Sequence, residues 1–104
     1  MTTPVQPCPV EEAILIIGGK WKLLVLRSLL LNGPQRYNEL LGTVTTISQK
    51  ELTRNLRELA GAGLVAKDAS ENKVARYGVT KLGKGLMPTF KSLLKWGVKL
   101  PALQ

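Results

Sequence analysis

The run from Ile47 to Leu64, ISQKELTRNLRELAGAGL, constrains the fold more than any other part of the chain, because every position in it agrees on one helix. Ser48 and Glu51 have the S-x-x-E spacing of a capping box, which places a helix start at Ser48. Ile47 just before the cap and Leu52 four residues after it form the pair of a hydrophobic staple. Leu52, Leu56 and Leu59 follow at helical spacing as a buried stripe, and Gly61 and Gly63 supply the stop. On the opposite side Lys50, Thr53, Arg54 and Arg57 project together, with Glu51 and Glu58 on one flank. Long cationic donors beside a short hydroxyl suit phosphates and base edges in a major groove. Taken alone, the same pattern also fits an ordinary solvated helix face.

The neighbouring segments add context. Upstream, GPQRYNELLGTV offers a short helix after the break at Gly33 and Pro34, with Leu40, Leu41 and Val44 as its apolar contacts. Thr45 to Ile47 then forms a tight turn, so the two helices make a helix-turn-helix whose second member would dock in a DNA groove. Downstream, LVAKD and VARYGVT are short runs rich in β-branched and aromatic residues, split by the turn residues SENK, and they read as a hairpin. The fold class expected is mainly α with a small β-hairpin (α+β), a winged helix-turn-helix.

In this order the motifs CPVEEAI, IGGKWKLLVLRSLL, QRYNELL, ISQKELTRNLRELAGAGLV, RYGVTKLGKGL and LLKWG resemble the HxlR-type winged-helix transcription regulators, which are similar in fold to the MarR group. The resemblance spans about residues 8 to 97, and GGKW followed by R-Y-N-E-L is its most specific part. It implies a cytoplasmic homodimer that binds double-stranded DNA at an inverted-repeat operator. One departure is visible: the family's wing usually carries a longer, proline-rich tip, whereas Asp68 to Val74 is short and has no Pro.

On this reading residues 1–104 form a single domain. Residues 1–19 hold an N-terminal segment and dimerisation helix, 20–80 the winged-helix core, and 81–104 a C-terminal dimerisation helix. Gln49, Lys50, Thr53, Arg54 and Arg57 would read bases and phosphates, with Ser48 at the helix start among the DNA-facing residues. Arg36, Tyr37 and Asn38, opening the preceding helix, would contact backbone phosphates, and Lys73 or Arg76 would serve the wing. The main alternative is a winged-helix module whose polar face binds an acidic protein without specific DNA affinity.

Charge supports a polyanionic partner less directly than it first suggests. The net charge is +8, but the final segment alone holds Lys81, Lys84, Lys91, Lys95 and Lys99 and no acid, while residues 48–58 are nearly balanced. In that final segment Leu82, Leu86, Phe90, Leu93 and Gly97 share one helical face opposite the lysines, and Pro88 would kink the helix or begin a fresh turn. A helix appended after the wing has little domain core left to cover. Its apolar face, including Leu94, is therefore expected against a second subunit, next to the first helix with Val10 and Ile14. The rival, a basic helix lying on an anionic membrane, is set aside because the rest of the chain already calls for a buried partner.

Between these ends, GGKWKLLVLRSLLLNG gives a core helix with Trp21, Leu24, Val25 and Leu29 inside. GGK lacks the spacing and the hydroxyl residue of a phosphate loop, the apolar run before it is too short to span a membrane, and residues 1–9 lack a signal-peptide pattern. With no His and one Cys, neither a Cys/His metal site nor a thiol-base pair can be assembled, so no enzyme and no cofactor are expected, and no polar cluster marks a small-molecule effector site. Pro9 suits a first helical position, which puts Cys8 at the positive end of a helix, where a thiolate is favoured. The family resemblance implies that a cysteine so placed can sense oxidants or electrophiles. An inert thiol is the alternative.

Overall fold

The computed structural model describes residues 8–68 and 74–103. The elements follow as α1 (Pro9–Ile17), α2 (Lys22–Asn32), α3 (Tyr37–Thr43), α4 (Gln49–Gly61), β1 (Val65–Asp68), β2 (Arg76–Val79), α5 (Lys81–Lys84) and α6 (Met87–Gly97), with a 3-10 turn at Pro101–Leu103. This is a winged helix-turn-helix: mostly helical, with one two-stranded antiparallel sheet in which Val65 pairs with Val79 and Asp68 with Arg76.

The core lies between α2, α3 and α4. Val25, Leu26, Leu29, Leu40, Leu52, Leu56 and Leu59 are buried in one cluster, joined by Val44 and Ile47 from the helix-turn-helix turn and by Leu64 and Val65 at the wing's start. Ile47 and Leu52 thus share that cluster, as a staple requires. Leu24 departs from expectation. It is 40% exposed, and Leu26, fully buried, takes the inward position on α2. Trp21 packs against the cluster rather than lying within it, with the Lys20 ammonium 4.6 Å from its ring centre.

The end of α4 is set by Gly63, not Gly61, which is still helical. Gly63 has φ +81°, its amide donates to the Ala60 carbonyl, and the Leu64 amide donates to the Leu59 carbonyl. This is a Schellman closure, and its apolar contact is supplied by Leu59 and Leu64, both buried. The turn before α4 carries a different signature: Thr46 takes φ +69°, a conformation that a β-branched residue adopts only where its surroundings enforce it.

A closed ring of hydrogen bonds fastens the wing to the helices. The Gln35 amide Nε2 donates to Ser28 Oγ (2.9 Å), Ser28 Oγ donates to Thr43 Oγ1 (2.8 Å), and Thr43 Oγ1 donates to Gln35 Oε1 (2.9 Å). Gln35 is 5% exposed, and its backbone exchanges hydrogen bonds with Tyr77 in both directions, so one residue links α2, α3 and β2. The Lys22 ammonium lies 3.6 Å from the Glu58 carboxylate, a further tie between α2 and α4.

The C-terminal segment forms two helices rather than one kinked helix. α5 is capped by Thr80, whose hydroxyl accepts from the Gly83 amide and donates to the Gly63 carbonyl. Gly83 is buried because α5 sits directly on the wing: a Cβ there would stand 2.4 Å from both the Leu64 oxygen and Val79 Cγ1. The chain turns at Gly85 and Leu86, and Pro88 falls in the first turn of α6, where its missing donor costs nothing. The break removes Leu82 from the expected apolar face, and it is 65% exposed. Leu86 and Phe90, expected against a second subunit, pack against this chain's own core. Leu93 (44%) and Leu94 (68%) remain exposed, as do Val10 (65%) and Ile14 (59%) on α1, a helix with no buried residue. Among the described residues, no helix is long and apolar enough to cross a membrane.

Candidate nucleic-acid interface

α4 is amphipathic, and its outer face is where the sequence places the reading residues. Ser48, Gln49, Lys50, Thr53, Arg54 and Arg57 are all exposed, while Leu52, Asn55, Leu56 and Leu59 face inward. The buried Asn55 is satisfied locally, its Nδ2 donating to the Glu51 carbonyl. Ser48 caps the helix by accepting from the Glu51 amide at 3.1 Å. The return half of the expected capping box does not form, because the Glu51 carboxylate pairs with the Arg54 guanidinium one turn along. Arg54, the leading candidate for a base contact, is therefore held in a surface pair with the half-buried Glu51. Such pairs contribute at most about 1 kcal/mol, so a better acceptor can displace it.

α3 presents Arg36, Tyr37 and Asn38 at its start. Arg36 precedes the helix and its amide donates to the Glu39 carboxylate at 2.9 Å, so the reciprocal bond missing at Ser48 is present here. Tyr37 does more than expected of a phosphate contact. Its hydroxyl donates to the Gln49 carbonyl (2.9 Å), and with that proton used it accepts from Thr53 Oγ1 (2.8 Å). Tyr37 thereby locks α3 to the exposed half of α4, and Thr53 keeps its methyl and an oxygen lone pair for a groove.

On the wing, Lys73 lies outside the described residues. Arg76 pairs in register with Asp68 on the outer face of the hairpin. Alternation puts Lys67 and Tyr77 on the other face, the one that carries Val65 and Val79 into the core. Lys67 was not singled out from sequence, although its two-residue step from the buried Val65 signals that side. Its ammonium stands 5.7 Å from the Tyr77 ring centre. An open cleft separates this side of the wing from the start of α3, with Arg36, Tyr37, Asn38, Lys67 and Tyr77 among its walls.

Cys8 is the residue preceding α1, with Pro9 in the first turn, and it is exposed. Among the described residues, no cluster of three or more His, Cys, Asp or Glu could hold a metal ion.

Comparison with known proteins gives the same reading as the geometry. The family model described as HxlR-like helix-turn-helix matches residues 16–102. The HTH-type transcriptional regulator YkvN of Bacillus subtilis, itself uncharacterized, is 43% identical over 93 residues, covering 86% of this chain and 77% of that protein. A crystal structure from Porphyromonas gingivalis W83, assigned to the MarR family of transcriptional regulators, superposes with TM-score 0.82 at 30% identity, covering 95% of this chain and 98% of the other. The reduced form of the transcriptional regulator YodB from B. subtilis superposes with TM-score 0.79 at 28% identity, covering 92% and 96%. YodB has also been solved quinone-bound and after diamide treatment. These proteins are transcriptional regulators, not enzymes.

Proposed function

This chain belongs to the HxlR-like helix-turn-helix family of transcriptional regulators, and we propose that it works in the cytoplasm as a homodimer on an inverted-repeat operator. The observation that carries the reading is the outer face of α4, where Gln49, Lys50, Thr53, Arg54 and Arg57 stand exposed and Tyr37 fixes the helix against α3. Arg36 and Asn38 then meet backbone phosphates beside the groove, and Arg76 and Lys73 serve the wing. Dimerisation through α1 and α6 is supported by what these helices leave uncovered. A nine-residue helix with no buried residue is marginal on its own in water, and Val10, Ile14, Leu93 and Leu94 are all exposed. Gly97 on the same helix allows close approach. A two-fold dimer sets its α4 helices about one DNA turn apart, so half-sites fall roughly 10 to 11 base pairs between centres. Cys8 supplies the switch in this proposal: exposed immediately before α1, it is open to oxidants and electrophiles, and its modification shifts the spacing of the two α4 helices.

Sedimentation and operator titration test these statements together. Leu94→Glu is expected to sediment as a monomer and to lose at least about tenfold in operator affinity, because one half-site then binds without the other. In the wild type, diamide is expected to change operator affinity, and Cys8→Ala to abolish that response. A Leu94→Glu protein that stays dimeric would place the interface elsewhere. A wild type whose operator affinity does not change with diamide, or a response that persists in Cys8→Ala, would remove Cys8 as the switch.

A further inference from the structure

We infer that the cleft between the start of α3 and the wing is a seat for a DNA backbone phosphate, with Lys67 as its principal cation; the inference rests on the DNA-binding reading above. Three observations converge. First, the hairpin register puts Lys67 on the face of β1 that turns toward the helices, whereas Arg76, the wing cation prominent in the sequence, is in register with Asp68 on the other face. Second, among the described residues Lys67 is paired with no carboxylate. Its ammonium lies 5.7 Å from the Tyr77 ring centre, a contact that places the charge without neutralising it. Third, Arg36 and Asn38 line the same cleft from the α3 side. Glu39 also borders it; its Oε1 accepts from the Arg36 amide at 2.9 Å, which holds that carboxylate at the α3 start, and the Lys67 and Arg36 cations outnumber it.

Location gives this cluster its meaning. Tyr37 borders the cleft while its hydroxyl bonds to Gln49 and Thr53 of α4, so the cleft adjoins the proposed reading helix directly. A helix in a major groove with a hairpin beside it leaves the surface between them facing one strand's phosphates. Lys67, Arg36 and Asn38 stand on that surface. A lysine there acts as a point charge that fixes the register of the protein on the duplex and carries no sequence information.

The test is anisotropy titration of operator and random duplexes over a series of salt concentrations, with wild type, Lys67→Gln, Lys67→Arg and, as a surface control on α6, Lys91→Gln. Lys67→Gln is expected to weaken both duplexes by roughly three- to tenfold and to reduce the salt slope by about one, with Lys67→Arg restoring both and Lys91→Gln changing neither. Unchanged affinity and slope in Lys67→Gln, with the wild type still selecting its operator, would overturn the phosphate seat and leave the regulator reading intact. A loss confined to the operator would also overturn it, making Lys67 a base reader. A wild type that binds no duplex would remove the DNA-binding reading and this inference with it.

Discussion

Leu52→Ala is expected to destabilise the fold by about 2 to 5 kcal/mol, the range for removing a fully buried leucine from a packed core. Leu52 has no exposed surface and sits at the centre of the stripe that α4 lays against α2 and α3, beside Ile47 and Leu56. A domain of 104 residues has a total stability of about 5 to 15 kcal/mol, so the variant should lose a large share of its folded margin. The same truncation at Leu24, 40% exposed on α2, should cost no more than about 1 kcal/mol. Urea denaturation of both variants checks the pair. Equal losses would mean that α2 and α4 do not pack in the register described.

Arg54→Ala is the second large effect, and it falls on DNA rather than on folding. The surface pair with Glu51 contributes at most about 1 kcal/mol, so stability should hardly change. Loss of a base contact should cost about 1 to 3 kcal/mol at the operator, while random DNA is weakened much less. Competition titrations with the two duplexes separate the outcomes. Equal loss on both would show that Arg54 holds a phosphate, leaving base reading to Gln49, Lys50, Thr53 and Arg57.

Much of this architecture was legible in the sequence because local signals agreed with one another. Ser48, the Leu52–Leu56–Leu59 stripe and the glycines after it bound one helix, and the structure places α4 at Gln49–Gly61. Pro9 and Pro88 each fall in the first turn of a helix, and the two short runs after Leu64 pair as a hairpin. The differences arise where a side chain has a choice that spacing does not decide. Glu51 could bond its own cap or Arg54, and it takes Arg54. Gly61 and Gly63 were both able to end α4, but only Gly63 occupies the left-handed position. In LLVLRSLLL nearly every residue is apolar, so periodicity could not distinguish Leu24 from Leu26.

The Ser28, Gln35 and Thr43 ring lay beyond reach for another reason. Its members are 7 to 15 residues apart and each is an unremarkable polar residue; only the packing of α2 on α3 makes them mutual partners. The candidate interface shows the same division. Residues on one helix face, such as Lys50, Arg54 and Arg57, follow from helical spacing. Tyr37's bonds to Gln49 and Thr53, and the side of the wing on which Lys67 stands, depend on how separate elements meet.

The central claim is that α4 of a two-fold dimer reads a specific operator. A footprint of the reduced protein on DNA upstream of its own and the neighbouring gene, at near-physiological salt and beside random DNA, tests it most directly. The result expected is a protected palindrome with half-sites roughly 10 to 11 base pairs between centres. Diffuse, salt-sensitive protection alike on both DNAs would contradict it, leaving only nonspecific attraction by the lysines.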